Sequence, residues 1–206
     1  MKRGLFITIE GGEGVGKSTN IEFIKSTLEA QGIECIVTRE PGGTPLAEEI
    51  REVLIKNREE QVVSETELLL MFAARAQHLH QKILPALESG VWVISDRFTD
   101  ATYAYQSGGR GVPVEKVALL ESFVQGELRP DLTLLLDAPI EVGMARAKSR
   151  GKLDRFEEEQ AAFFNKVRDN YLSRAKVETQ RFKIIDATQS LESVQADIAE
   201  QLKRTL

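Results

Sequence analysis

Residues Leu5 to Ser18 read LFITIEGGEGVGKS, an apolar run followed by the phosphate-binding pattern G-x-x-x-x-G-K-[ST]. This pattern is informative where a strand runs into a helix, because the glycines let backbone N–H groups converge on phosphate oxygens. The apolar run predicts that strand, and Lys17 to Ala30 is predicted to form a helix whose positive end faces the phosphates. We expect Lys17 at the outer phosphates and the Ser18 hydroxyl on Mg²⁺, which indicates a nucleoside triphosphate site.

Beyond this stretch, strand patterns alternate with helical patterns. Short apolar, β-branched runs occur at Leu5–Ile9, Ile33–Thr38, Val91–Ser95, Leu132–Leu136 and Phe182–Ile185. Such runs are typical of buried parallel strands. We therefore predict an α/β P-loop NTPase fold, a five-stranded parallel sheet flanked by helices on both faces, with ligands at its C-terminal edge.

Composition and charge restrict the class of protein. The 206 residues are 42% hydrophobic and no Pro- or Ser-rich linker divides them, so we predict a single domain over 1–206. With 27 basic and 32 acidic residues, the net charge is −5, and no nucleic-acid surface is expected. The only cysteine, Cys35, excludes an internal disulfide, and no apolar stretch reaches the ~20 residues of a membrane span. We expect a cytoplasmic protein with no membrane partner.

A long helix is predicted to begin at Ser64–Glu67, because the sequence SETE has the spacing of a capping box. Pro85 is expected to bend or end this helix. Leu68 to Ala76 is apolar on most faces, which favours a central position or cover by a second subunit. His78 and His80 on the same helix face nearly opposite ways, which disfavours a shared metal site.

Another helical pattern runs from Phe156 to Tyr171, with Glu157 to Glu159 expected on its solvated face. A guanine-reading N-K-x-D is absent. Its nearest match, Asn165 to Arg168, lacks the carboxylate and falls inside this helical pattern, so a GTPase switch is disfavoured.

Charged residues follow the second and third predicted strands. Asp96 is placed where a carboxylate can organise Mg²⁺, and Arg97 where a guanidinium can clamp phosphate oxygens. The loop from Arg39 to Pro45 (REPGGTP) lets the backbone approach a ligand. Arg51 lies two turns into the next helix and could point into the site or into water.

A basic stretch, Lys148 to Arg155, joins two helical patterns and contains a glycine. A mobile lid here would bring Arg150 or Arg155 over the transferring phosphoryl group, excluding water and adding positive charge. An ordinary charged connection between helices is the alternative.

Four segments together resemble thymidylate kinases of the bacterial type, over essentially the whole chain. They are Glu10–Thr19, Thr38–Leu46 (TREPGGTPL), Asp96–Gly111 (DRFTDATYAYQSGGRG) and a lid at about 146–157 with its arginines. The resemblance implies a homodimeric enzyme of dTTP biosynthesis. Such enzymes transfer the γ-phosphoryl of ATP to dTMP, giving dTDP and ADP, with Mg²⁺.

Matched positions imply roles for individual residues. The ATP site would comprise Gly11, Gly12, Glu13, Gly14, Val15, Gly16, Lys17, Ser18, Thr19 and Arg146, the last beside the Asp186–Thr188 loop at the adenine. The dTMP site would comprise Glu13, Glu40, Arg51, Phe72, Arg75, Arg97, Thr102, Tyr105 and Gln106. Catalysis would depend on Lys17, Arg97, Arg150 and Glu13, and metal binding on Ser18 and Asp96, with Glu40 helping to arrange Mg²⁺ and water.

The resemblance implies specific roles for two residues of the phosphate loop. Glu13 would bond the 3′-hydroxyl of the dTMP sugar. Gly14 occupies the place where eukaryotic relatives carry an arginine, so the lid, Arg150 foremost, would supply that charge.

The base pocket leaves one choice open. Arg75 and Thr102 would read the thymine edge, while Phe72 and Met71 both share a helix face with Arg75. We favour Phe72 as the stacking group, because a flat ring stacks on thymine better than a thioether does.

Two other functions are compatible with the same residues. One is a kinase of this fold that acts on another nucleotide or nucleoside. The other is a nucleotide-binding regulator, which would bind ATP without acceptor-dependent release of ADP.

Overall fold

Within residues 3–148, 155–157 and 159–205, which the computed structural model describes, five parallel strands form one sheet in the order β2-β3-β1-β4-β5. The strands are β1 Phe6–Glu10, β2 Cys35–Arg39, β3 Trp92–Asp96, β4 Leu132–Asp137 and β5 Phe182–Asp186. Each predicted strand is confirmed, with boundaries shifted by at most two residues. The central strand β1 is buried throughout, which explains its apolar sequence.

Helices cover both faces of this sheet, as predicted. They are α1 Lys17–Glu29, α2 Pro45–Ile55, α3 Ser64–His78, α4 Leu84–Glu88, α5 Thr99–Thr102, α6 Val114–Gln125, α7 Ile140–Lys148, α8 Ala161–Val177 and α9 Leu191–Thr205. Two π-helical segments, Leu79–Ile83 and Tyr103–Gly109, continue α3 and α5.

Successive side chains of β1 point to opposite faces of the sheet and pack in two separate parts of the core. Ile7 and Ile9 pack with Ile24 of α1 and Ile198 of α9 on one side. Phe6 packs on the other side with Leu87 of α4. The side chain of Glu10 therefore points to the same face as Phe6, towards α8.

The helix from Ser64 begins where predicted, but its capping box does not form. Val63 is the N-cap residue, and no side chain caps the first turn. Glu67, the expected capping partner, is fully buried and forms ion pairs with Arg110 and Arg155. The spacing of the motif was misleading because this carboxylate is directed into the protein.

Pro85 lies in the first turn of α4 and does not end the helical path. The α-helical pattern stops at His78, and the π-helical segment Leu79–Ile83 connects it to α4. Proline is tolerated in a first turn, because its missing N–H would have no partner there.

The second helical pattern was predicted to start too early. α8 begins at Ala161, and Phe156 lies in the turn before it. Glu159 forms an ion pair with Arg110, so the expected solvated face is wrong for this residue. Glu158 lies outside the described residues.

Where the structure describes the chain, no helix is both long and apolar enough to cross a membrane.

Candidate active site

A cavity of about 530 Å³ opens at the carboxyl edge of the sheet, where ligands were expected. It lies between the phosphate loop and the segments that follow β2 and β3. The predicted site residues that line it are Glu13, Gly14, Gly16, Lys17, Ser18, Thr19, Glu40, Arg51, Arg75, Asp96, Arg97, Thr102, Tyr105, Gln106 and Arg146. Gly11, Gly12, Val15 and Phe72 are not part of its lining, and Arg150 lies outside the described residues.

The phosphate loop holds its lysine against its own backbone. The Lys17 ammonium donates to the carbonyl oxygens of Gly12, at 2.8 Å, and Gly11, at 3.3 Å. Burial, together with the nearby charge of Arg97, lowers the pKa of Lys17. Val15 anchors the loop in the core behind it. Gly11 and Gly12 thus serve the site through their carbonyls.

The same loop packs backbone to backbone against α7. Gly14 has a left-handed φ of 70°, and a Cβ atom there would overlap the carbonyl oxygen of Gly143. A Cβ atom on Gly143 would in turn overlap the carbonyl oxygen of Glu13. An arginine at position 14 is therefore sterically incompatible with α7 in this position.

Glu13, Arg97 and Tyr105 form a compact cluster at the cavity wall. Nη2 of Arg97 donates to Glu13 Oε1 and, at 2.9 Å, to the Tyr105 hydroxyl, which donates to Glu13 Oε1 at 3.0 Å. Burial opposes ionisation of Glu13, but the positive charges of Arg97 and Lys17 hold its pKa at about 2. The cluster therefore presents an ionised acid and a guanidinium side by side.

The backbone of Arg97 is left-handed, with φ 67°, and is fixed by neighbouring groups. Its N–H donates to the Ile9 carbonyl at 3.0 Å, and its carbonyl accepts from the Ser95 hydroxyl at 2.7 Å. The next N–H, of Phe98, donates to Glu10 Oε1 at 2.7 Å. These bonds aim the side chain into the cavity.

Glu10 was missed by sequence reasoning. It is fully buried, and its second oxygen accepts a hydrogen bond of 2.7 Å from the Tyr171 hydroxyl. Burial, with a further contribution from the charge of Asp100, raises the pKa of Glu10 to about 8. An acid at the end of an apolar strand was the only available signal.

The residues predicted to bind Mg²⁺ are chemically suited to it. Oδ1 of Asp96 is buried and has no hydrogen-bond partner among the described residues. Asp96 and Ser18 line the same cavity. Mg²⁺ is usually held by one or two carboxylates together with substrate phosphates, so a single carboxylate and a hydroxyl fit this ion.

Arg75 is almost completely buried, and each of its three guanidinium nitrogens has a partner. Nε donates to Glu40 Oε2 at 2.7 Å, Nη1 to Thr99 at 3.1 Å and Nη2 to Thr102 at 2.8 Å. The other oxygen of Glu40 lies 3.0 Å from Nδ1 of His78. Glu40 thus holds the side chains of Arg75 and His78, and it lines the same cavity as Asp96. That Glu40 also helps to arrange Mg²⁺ and water stays a prediction.

Phe72 and Met71, the two candidates for the base contact, lie differently with respect to the cavity. Phe72 packs in a buried cluster with Leu68 and Tyr103, and Met71 lines the cavity. Arg51 points into the cavity, where its Nη1 donates to the Pro41 carbonyl at 3.1 Å. Of the two orientations considered for Arg51, the structure has the one towards the cavity, and its role there stays a prediction.

Gln106 and Arg146 line the cavity and are held by different elements. Gln106 donates to Glu67 at 2.9 Å, so its amide is oriented by the buried acid of α3. Arg146 donates to the Ala187 carbonyl at 3.2 Å, which brings it to the loop that follows β5.

Arg155 does not reach over the phosphate loop. Its guanidinium donates to the Leu54 carbonyl at 2.8 Å and lies 2.8 Å from Glu67 Oε2. Its backbone N–H donates to the Ile55 carbonyl. Arg155, one of the two arginines considered for the lid, therefore anchors its segment to α2 and α3. The buried carboxylate of Glu67 is its partner on α3.

Comparison with known proteins adds independent findings. A family model described as thymidylate kinase matches residues 9–198. The thymidylate kinase of Pseudomonas entomophila (strain L48) is 63% identical over 195 residues, covering 95% of this chain and 93% of that protein. That of Pseudomonas syringae pv. tomato (strain ATCC BAA-871 / DC3000) is 59% identical over 203 residues, with 98% and 97% covered. A crystal structure of thymidylate kinase from Ehrlichia chaffeensis superimposes with a TM-score of 0.79 at 30% identity, covering 98% and 99% of the two chains.

Proposed function

The chain belongs to the thymidylate kinase family and phosphorylates dTMP with ATP in dTTP synthesis, and we propose that the cavity at the sheet edge is its active site. One observation carries this proposal. The phosphate loop shares a single cavity with Arg51, Arg75 and Arg97, so groups suited to both substrates converge there.

On the donor side, we propose that the loop N–H groups and Lys17 bind the outer phosphates of ATP. Lys17 would then exchange the carbonyls of Gly11 and Gly12 for phosphate oxygens. Ser18 and Asp96 would hold Mg²⁺, which when bound neutralises phosphate charge. Arg146 and the Ala187 loop would contact the adenine.

On the acceptor side, Arg97 and Arg51 would hold the dTMP phosphate by the fork geometry of their guanidinium groups. Glu13 is ionised, so it can accept a hydrogen bond from the 3′-hydroxyl of the sugar. Arg75 and Thr102 would read the thymine edge, and Met71 would lie against the base. Tyr105 and Gln106 would complete the wall of the sugar and base pocket.

Transfer itself would proceed in line, with no covalent intermediate. Phosphoryl transfer requires mainly positioning and charge neutralisation, which the arginines and Lys17 can supply. The proposal that Arg150 adds charge at the transition state rests on the family resemblance, and on the steric exclusion of an arginine at position 14.

We also propose a homodimer in the cytoplasm, where ATP is available. Leu69 of α3 is 57% exposed, and Leu119 and Phe123 of α6 are 71% and 85% exposed. Leu119 and Phe123 are four residues apart and share one face of α6. These neighbouring helices thus carry the apolar surface that a dimer would cover.

A panel of acceptors tests the substrate assignment. ADP release from ATP would be measured with dTMP, dUMP, CMP, AMP and thymidine. We expect dTMP to give the highest kcat/KM. A preference for another acceptor would contradict the assignment, and ATP binding without acceptor-dependent ADP release would indicate a regulator.

Paired substitutions on α1 test the site. Lys17→Ala is expected to lower kcat by at least roughly a hundredfold, because the lysine contacts the transferring group. Lys25→Ala on the same helix is the control, since Lys25 is partly exposed and pairs with Glu29. Equal activities of the two variants would remove Lys17 from the active site.

A further inference from the structure

The buried histidine of α3 has no role in the transfer derived above. His78 is fully buried between the end of β2 and the first helices. Its Nε2 lies 2.6 Å from the Thr38 hydroxyl, and its Nδ1 lies 3.0 Å from Glu40 Oε1. Both ring nitrogens therefore have specific polar partners, which is more than packing requires.

The REPGG loop leaves room for this ring. A Cβ atom on Gly43 would overlap the imidazole of His78 and the hydroxyl of Thr38. The glycine thus allows the loop to close over the ring while Glu40, three residues earlier, bonds to it. The backbone of Gly43 and the imidazole ring of His78 therefore pack closely against each other.

The partners of His78 indicate which of its ring nitrogens must donate a hydrogen bond. Burial opposes ionisation of Glu40, but the charge of Arg75 and a hydrogen bond from His78 keep the pKa of this acid below its usual value. An ionised carboxylate only accepts, so Nδ1 must carry the proton and donate to it. In a ring that carries only this proton, Nε2 accepts from the Thr38 hydroxyl.

The carboxylate of Glu40 links His78 to the acceptor pocket. Oε1 faces His78, and Oε2 accepts from Nε of Arg75 at 2.7 Å. His78 and Arg75 are three residues apart on α3, so both reach Glu40 from one face of the helix. A rotation of this carboxylate would break one bond or the other.

We propose that His78 is a positioning residue for acceptor selectivity: it fixes the rotation of Glu40, which fixes the guanidinium plane of Arg75. This inference rests on the proposed role of Arg75 in reading the thymine edge. His78 touches no substrate and acts only through Glu40.

Two amide substitutions separate this role from simple packing. The amide nitrogen of His78→Asn can occupy the place of Nδ1 and donate to Glu40, whereas that of His78→Gln occupies the place of Nε2. We expect His78→Gln to raise KM for dTMP roughly tenfold and to lower the preference for dTMP over dUMP, because a hydrogen bond to a charged group is lost. His78→Asn should stay within about threefold of the unaltered protein in KM for dTMP and in the preference for dTMP over dUMP, although Asn leaves a larger cavity than Gln does.

If His78 served packing alone, His78→Asn would have the larger effect, since Gln fills more of the space of His than Asn does. If His78→Gln were the milder substitution in KM and selectivity, the positioning role would be overturned. Thermal unfolding of both variants would show whether the kinetic order merely follows stability.

A long-range proton–nitrogen NMR experiment on the unaltered protein tests the tautomer without any substitution. We expect Nδ1 protonated and Nε2 unprotonated, and Thr38→Val should shift the Nε2 resonance. A proton on Nε2 with none on Nδ1 would overturn the proposal, because Nδ1 could not then donate to Glu40.

Arg75→Lys distinguishes failure of this inference from failure of the proposed function. An unchanged KM for dTMP in Arg75→Lys would contradict the role of Arg75 itself. A raised KM in Arg75→Lys, together with unchanged values in both His78 variants, would contradict the role of His78 alone.

Discussion

At the residue scale, the backbone of Arg97 has an unfavourable conformation that its neighbours hold in place. Among the described residues it is the only one other than glycine with a positive φ. Such a backbone costs on the order of 1 kcal/mol and persists only where its surroundings enforce it. Here the enforcing groups are Ile9, Ser95 and Glu10, so the buried acid of β1 supports the guanidinium of the cavity.

Glu10 leads to a prediction about pH. Because burial raises its pKa to about 8, the folded protein keeps a proton that the unfolded chain releases above about 4.5. The contribution of Glu10 to stability is therefore fully present below about pH 4.5 and decreases as the pH rises towards 8, by up to about 1.4 kcal/mol per pH unit. Glu10→Gln should remove this dependence, since an amide can still accept from Phe98 and can donate to the Tyr171 oxygen in place of the bond that Tyr171 donates to Glu10.

The measurement is the free energy of unfolding by urea between pH 5 and 8. Glu49→Gln is the control, because Glu49 is exposed on α2. Parallel pH profiles for the unaltered protein and Glu10→Gln would show that Glu10 is ionised in the folded state.

A second prediction concerns the two candidates for the base contact. Phe72→Ala should lower the free energy of unfolding by roughly 3–5 kcal/mol, because it empties a buried cluster. Met71→Ala should cost less stability and should mainly raise KM for dTMP. The reverse pattern, with an effect on KM from Phe72 alone, would place Phe72 against the base.

Sequence reasoning at this scale succeeded where a motif reports chemistry directly. Lys17, Arg75 and Arg97 line the cavity as expected. Glu10 was missed, and His78 was considered only as a metal ligand, because a single polar residue in a sequence pattern does not reveal its partners. The choice between Phe72 and Met71 could not be made from sequence, because helix periodicity does not say which side faces a ligand.

At the scale of elements, the phosphate loop and α7 approach so closely that neither Gly14 nor Gly143 has room for a Cβ atom. Gly143→Ala tests it. Alanine normally stabilises a helix interior by about 1 kcal/mol over glycine, but here its Cβ atom would overlap the Glu13 carbonyl. We expect lower stability together with a reduced kcat, because Glu13 and the loop must shift.

Stability and steady-state kinetics with varied ATP and dTMP would check this expectation. Glu141→Ala, at an exposed position of the same helix, serves as the control. A stabilised and fully active Gly143→Ala would show that α7 can move away from the loop at little cost.

Element boundaries were predicted best where the pattern was strongly apolar. All strands and α1 agree with expectation to within two residues. The capping box at Ser64 and the start of α8 were wrong, because Glu67 and Phe156 serve buried contacts that local spacing does not encode. The route past Pro85 was left undecided, and a π-helical segment is too local a feature to read from periodicity.

At the scale of the whole molecule, the apolar face of α3 and α6 predicts self-association. Phe123→Glu should shift the protein from dimer to monomer in analytical ultracentrifugation, because a charge would be buried in the interface. Val177→Glu is the matched control, since Val177 is 82% exposed at the end of α8, away from this face. A dimer that survives Phe123→Glu unchanged would exclude this face as the interface.

The position of β1 in the sheet has a consequence for synthesis of the chain. β1 is translated first, yet its neighbours β3 and β4 are encoded at Trp92–Asp96 and Leu132–Asp137. Translation at about 5–20 residues per second separates β1 from β4 by on the order of ten seconds. In the first part of that interval, before β3 is made, the strand that carries the phosphate loop has no neighbouring strand to pair with, and an unpaired apolar strand on the ribosome is prone to aggregate.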